Sequence, residues 1–217
     1  MTRTTYAPAN TDELRSLRYQ LQEIEDRYKK QILTMACTLV SLVDLRDSYT
    51  GGHSGRVGSY ARKIGVRLGL PEAQLDQVVM AALMHDIGKI GVPDHVLLKQ
   101  GRLTPEEFED IKKHPELGWM ALKNVNDFRS ISLIVLHHHE RMDGAGYPAG
   151  LKGSVIPLGS RIIAVADSYD ALTTDRPYRK ARNREQALEE LQSSAGSQFD
   201  PHVLDAFLDS LESNVNG

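Results

Sequence analysis

Apolar positions recur at steps of three and four along most of this 217-residue chain, the spacing that puts them on one face of a helix. Leu14, Leu17, Leu21, Ile24 and Tyr28 form a heptad seam with charged residues between them. Asn10, with Glu13 three positions on, predicts a capped start for that helix. Residues 1–10 lack periodicity and read as a disordered start. A second apolar-periodic stretch covers 31–46 and meets Gly51 and Gly52, and a third covers 54–68 and ends at Gly69. Pro71, whose missing N–H costs nothing in a first turn, opens a helix that runs into His85. Thr104-Pro105-Glu106-Glu107 is a capping box, and its helix should stop just before His114-Pro115. Further helices are predicted over 117–124, 129–139, 161–172, 184–191 and 201–211. The glycine-rich segment 140–157, with Pro148 and Pro157, reads as an ordered loop. The predicted fold class is all-α, with an N-terminal amphipathic helix.

Composition narrows this picture. Hydrophobic residues are 41% and charged residues 25%, ordinary for a soluble globular domain with a short appendage. The division expected is 1–30 as tail and amphipathic helix and 31–217 as the main domain. Two to three heptads leave three readings of the seam open: a homodimer, a signalling linker to a regulatory partner or domain, or packing on its own domain. At this length, no separate sensor or receiver domain is expected. No apolar run approaches the ~20 residues of a membrane span, and the polar opening MTRTTYAPANTDE is no signal peptide. No membrane insertion and a cytoplasmic location are therefore expected. Cys37, the single cysteine, excludes an internal disulfide and a zinc site built on several thiolates, and its apolar surroundings predict a small buried side chain. A net charge of −3 argues against a nucleic-acid polymer as partner, so attraction of an anionic substrate would have to be local.

The candidate chemistry lies in five short contexts: GGHS at His53, HDIGK at His85 and Asp86, HPELG at His114, HHERMDGAGYP at His138 and His139, and ADSYDALTTDRPYR at Asp167. An imidazole gives one metal bond, whereas a carboxylate has two oxygens and can bridge two cations, so a mixed set suits a pair of metals with Asp86 as the natural bridge. Helical bundles commonly build such sites from side chains of several facing helices.

In order and spacing, ending in Gly146-Tyr147-Pro148, these contexts resemble the HD-GYP family of cyclic dinucleotide phosphodiesterases, over residues 39–207. The resemblance implies an HD-type helical bundle in which His53, His85, Asp86 and Asp167 hold one metal. It implies a second metal held by His114, His138 and His139, with Asp86 reaching it too. Two such metals share a water and generate a hydroxide that attacks phosphorus. Nitrogen and oxygen donors without thiolate favour iron or manganese. The implied reaction opens cyclic di-GMP to linear pGpG, and GMP if hydrolysis continues.

Asp86 and Lys89 are then the catalytic candidates, with Lys89 one helical turn away to stabilise charge on phosphoryl oxygens. Lys89, Tyr147, Arg176 and Arg179 are the substrate-binding candidates: guanidinium suits phosphate clamping or stacking on guanine, and Tyr147 suits a base or a phosphate. Glu140, Arg141 and Asp143 are expected to fix the loop or orient the ligand histidines. Tyr49 stands where some members carry a glutamate that helps bind a third metal, and a phenol is a poor ligand for a hard cation, so two metals are expected. His137 makes a triple histidine, but the spacing to Gly144 and Tyr147 favours His138 and His139. His95 and His202 are expected at the surface. Two other readings stand beside the leading one. One is a phosphodiesterase for another nucleotide, such as cyclic GMP-AMP or an alarmone; the other is a non-catalytic cyclic dinucleotide sensor or scaffold.

Overall fold

The computed structural model describes residues 11–46, 52–175 and 180–212. The expectations placed on residues 1–10, Tyr49, Gly51, Arg176 and Arg179 lie outside the described residues, as does the side chain of Cys37. The described residues form ten α-helices and short 3₁₀ turns, with no β-strand among them. No helix is long and apolar enough to cross a membrane.

The two apolar patterns at 14–28 and 31–46 merge into one continuous helix, α1 (Thr11–Arg46). Asp12 and Glu13 in its first turn and Arg46 in its last complement the helix dipole. The chain divides into two compact units, Met1–Ala36 and Cys37–Gly217. In the first, the seam is laid bare: Leu14, Leu17, Leu21, Ile24 and Tyr28 are all exposed, Ile24 at 62%.

The second unit holds α2 (His53–Arg67), α3 (Glu72–Met84), α4 (Asp94–Leu97), α5 (Pro105–Ile111), α6 (His114–Leu122), α7 (Arg129–Leu136), α8 (Leu158–Thr173), α9 (Arg184–Ser193) and α10 (Pro201–Glu212). Helix α2 is central and packs against α3, α8 and α10, while α3 and α6 each pack on α7. The small or branched residues Val57, Ala61 and Ile64 of α2 are fully buried against this core, as are Ile162, Ile163 and Val165 of α8. Tyr60, Tyr169 and Phe207 close one end with edge-to-face contacts, centroids 4.9–5.9 Å apart.

Several boundaries differ from the sequence pattern for identifiable reasons. His114 opens α6 instead of preceding a helix at 117, because Pro115 fits the first turn, where its missing N–H is no loss. Helix α7 stops at Leu136, and His137, His138 and His139 follow in a turn. Helix α8 starts three residues earlier than its apolar pattern, just after Pro157. The capping box of α5 is present, with Thr104 Oγ1 accepting from Glu107 N and Glu107 Oε2 accepting from Thr104 N.

A 3₁₀ turn, Ile87–Gly91, and α4 were not apparent in the periodicity. The turn is held from α1: the Arg46 guanidinium donates to the carbonyls of Lys89, Ile90 and Val92 (2.7–3.0 Å) and to Asp94 Oδ1. On its other side the turn packs into α6 at Gly88.

Candidate metal centre

The motif residues converge from the ends of several helices. His53 opens α2, His85 and Asp86 follow α3, His114 opens α6, His138 and His139 follow α7, and Asp167 lies within α8. Two groups have donor atoms within 4.8 Å of one another: His53, His85 and Asp86, and His114, His138 and His139. Asp167 joins the first, with Oδ1 3.3 Å from His53 Nε2. Asp86 stands between the groups. Its Oδ2 faces His85 Nε2 (3.5 Å) and His53 Nε2 (3.8 Å), and its Oδ1 faces His114 Nε2 (3.5 Å). His137 belongs to neither group; its Nδ1 is buried without a hydrogen-bond partner, 3.5 Å from Glu140 Oε1. His95 and His202 are exposed.

The outer ring nitrogens explain which way the imidazoles point. Nδ1 of His85, His114 and His138 each meets the backbone carbonyl three residues upstream, of Ala82 (2.7 Å), Ile111 (2.8 Å) and Val135 (2.6 Å). A carbonyl only accepts, so Nδ1 carries the proton and Nε2 of the neutral ring presents a lone pair inward. His114 Nε2 and His138 Nε2 then face each other at 3.2 Å. Two lone pairs at that distance repel, and a shared cation is what relieves them. Burial favours the neutral form of both rings, and it lowers His139 to about 3, helped by His114. The donor set therefore fits a divalent metal: neutral imidazoles and carboxylates, without sulfur.

At His53 the balance runs the other way. Burial opposes protonation, but Asp167 and Asp170 outweigh it and push this imidazole up to about 10. Burial likewise opposes ionisation of Asp86, and is overcome by Lys89, His85 and His114, which hold the carboxyl well below its usual range. Lys89 Nζ lies 2.8 Å from Asp86 Oδ2.

His53 Nδ1 meets a carboxylate, Asp170 Oδ2, at 2.7 Å, and Arg56 grips the same carboxylate through Nε and Nη2. Sequence reading passed over both residues. The available signal was Asp167 and Asp170 at a helical i, i+3 spacing, which places them on one face of α8.

The loop after the histidine pair is fastened by its own polar residues. Buried Glu140 accepts from Ala149 N (2.8 Å) and Leu151 N (3.0 Å). Arg141 pairs with Asp143 and donates to Gln198, while Asp143 accepts from Ala145 N. Tyr147 is thereby set with its ring stacked on His139, centroids 4.9 Å apart. Glu140→Gln leaves one of these two backbone N–H groups facing an NH₂ that cannot accept, removes the charge from the other bond, and should cost about 1.5–3 kcal/mol. The urea midpoint is the measure, and an unshifted midpoint would show that the loop is held without this carboxylate.

A cavity of about 600 Å³ opens over the centre, within the ~300–1,000 Å³ usual for small-molecule sites. His53, Asp86, Lys89, His139, Tyr147 and Asp167 line it, together with Lys99, Arg102 and Phe108.

Comparison with known proteins agrees with this arrangement. The HD domain family model matches residues 38–203. The chain is 40% identical over 210 residues to a cyclic di-GMP phosphodiesterase of Thermotoga maritima, covering 96% of this chain and 57% of that one. It is 42% identical over 190 residues to the cyclic di-GMP phosphodiesterase response regulator RpfG of Xanthomonas campestris, covering 87% and 49%. A 3'3'-cGAMP-specific phosphodiesterase of Vibrio cholerae is 36% identical over 183 residues, covering 84% and 39%. The chain thus spans about half the length of these relatives. Among solved structures, an HDG"Y"P protein from Bdellovibrio bacteriovorus shares the fold with a TM-score of 0.61 at 22% identity, covering 74% of this chain and 51% of that one. With a family match across most of its length and the ligand contexts assembled around one buried carboxylate, the chain belongs to the HD domain family, among the HD-GYP proteins that its motifs resemble.

Proposed function

We propose that the chain is a metal-dependent phosphodiesterase that hydrolyses cyclic di-GMP to linear pGpG, and to GMP if the second ester is also cleaved. The observation that carries this is Asp86, which turns one oxygen toward each of two donor groups and lines a nucleotide-sized cavity. The names of the similar proteins support the substrate class.

His53, His85, Asp86 and Asp167 would hold one divalent ion, and Asp86, His114, His138 and His139 the other, with iron or manganese best suited to the donors. Such a pair, when bound, supplies an activated water and neutralises charge on the phosphate. The chain's own residues do the rest. Lys89, fixed against Asp86, puts a cation beside the phosphoryl oxygens. Tyr147, stacked on His139, bounds the cavity and sets where a base or phosphate can lie. Arg176 and Arg179 are assigned to the substrate's phosphates or bases. The site of action proposed is the cytoplasm.

Turnover by anaerobically prepared, metal-loaded protein should be measured across cyclic di-GMP, cyclic GMP-AMP and cyclic di-AMP, with products resolved. Preferential hydrolysis of cyclic di-GMP is expected. Preference for cyclic GMP-AMP would move the chain toward the relatives named for that substrate. Tight binding without release of any product would make it a sensor.

The exposed heptad seam of α1 is assigned to a homodimer, because Leu14, Leu17, Leu21, Ile24 and Tyr28 repeat at the spacing a second identical helix would match. Sedimentation velocity is expected to show a dimer that Leu17→Glu with Ile24→Glu converts to monomer. A monomeric wild type would instead leave the seam to a regulatory protein partner.

A further inference from the structure

We infer that Asp170, held by Arg56, is the positioning residue that determines occupancy of the His53 side of the centre, separately from the three-histidine side. The inference rests on the two-metal reading above. Three ligand histidines take their orientation from a carbonyl of the preceding turn. His53, the first residue of α2, is oriented by a side chain. Its acceptor comes instead from α8, 117 residues away in sequence, as Asp170 Oδ2 at 2.7 Å from Nδ1. That bond places the proton on Nδ1 and turns Nε2 toward Asp167 Oδ1 (3.3 Å) and Asp86 Oδ2 (3.8 Å).

Asp170 is 1% exposed and needs a countercharge of its own. Arg56, one turn along α2 from His53, supplies it with Nε to Oδ1 (2.6 Å) and Nη2 to Oδ2 (3.0 Å). This two-pronged grip fixes both carboxylate oxygens, one of them on the imidazole. Helices α2 and α8 therefore carry a ligand, its orienting acid and the acid's clamp as one unit. In the other group, the Nδ1 atoms of His114 and His138 are held by the carbonyls of Ile111 and Val135.

Asp170→Asn tests it. The amide is nearly the same size, but Arg56 competes for its one oxygen, and an NH₂ turned to Nδ1 demands the other tautomer, with the proton on Nε2 facing the metal. Wild type should bind two divalent ions per chain by metal analysis and calorimetric titration. In Asp170→Asn one of the two sites should weaken about 10- to 100-fold while the other keeps its affinity. Excess metal should restore turnover, which damage to the fold would not allow. Should Asp170→Asn fail to fold, Arg56→Gln, at a partly exposed side chain, should weaken the same single site. Two unaltered affinities, or equal weakening of both sites, would overturn the inference. A wild type that never binds two ions would overturn the two-metal reading instead.

Discussion

Asp86→Asn is expected to fold normally and to lower turnover of cyclic dinucleotides by at least about 1,000-fold. The size follows from what the side chain does. Its Oδ2 faces His53 and His85, its Oδ1 faces His114, and it is the counterion of Lys89. An amide keeps the shape but offers one neutral oxygen, so one metal position loses a ligand and both lose a shared negative charge. Removal of a single well-placed charge-stabilising donor costs about 100- to 1,000-fold in enzymes, and loss of the metal-generated nucleophile adds to that. Metal content and turnover should fall together, and circular dichroism should be unchanged. Full activity in Asp86→Asn would sink the binuclear reading of the site. Retention of both metals with lost turnover would confine the role of Asp86 to the chemistry.

Gly88→Ala is expected to produce the largest loss of stability from a single methyl group. A Cβ at this position would lie 1.9 Å from the carbonyl oxygen of His114, 2.5 Å from Gly118 N and 2.9 Å from His114 C. All three are backbone atoms, so no rotamer change can relieve the clash. The 3₁₀ turn would have to move off α6, straining the bonds from Arg46 to the carbonyls of Lys89 and Ile90 and separating Asp86 from His114. A cost of about 3–5 kcal/mol is expected, at the upper end of overpacking. Gly55→Ala is the matched control: it is exposed in α2, a methyl there meets nothing within 4 Å, and the loss of glycine's backbone freedom should stabilise by about 0.5–1 kcal/mol. Urea midpoints of the two variants should shift in opposite directions, and a Gly88→Ala midpoint equal to wild type would contradict the close approach.

The helices were legible wherever a local signal marks them. Thr104 with Glu107 announces α5, Pro71 announces α3, and the heptad spacing announces α1. Boundaries set by tertiary contacts were not. The 3₁₀ turn at Ile87 exists because Arg46, more than 40 residues upstream, satisfies its carbonyls, and no periodicity encodes that. The ligand residues stood out because each sits in a distinctive short context, but their convergence came only through resemblance to kin. Asp170 and Arg56 were passed over because a carboxylate orienting a ligand looks like any other surface acid until its partner is known. The loop residues Glu140, Arg141 and Asp143 were easier, since they directly follow the histidine pair and ligand histidines need orienting or loop-fixing partners.

The carbonyls of Ala82, Ile111 and Val135 that aim three of the imidazoles have a consequence for how this centre tolerates sequence drift. A backbone oxygen is supplied whatever side chain occupies the position, so substitutions at 82, 111 and 135 leave the aim of His85, His114 and His138 untouched as long as the helix survives. The His53 corner has no such insulation, because its acceptor is a side chain that a single codon can remove. Loss of function by point substitution around the centre should therefore be lopsided, sparing the neighbours of three ligands and concentrating at the fourth.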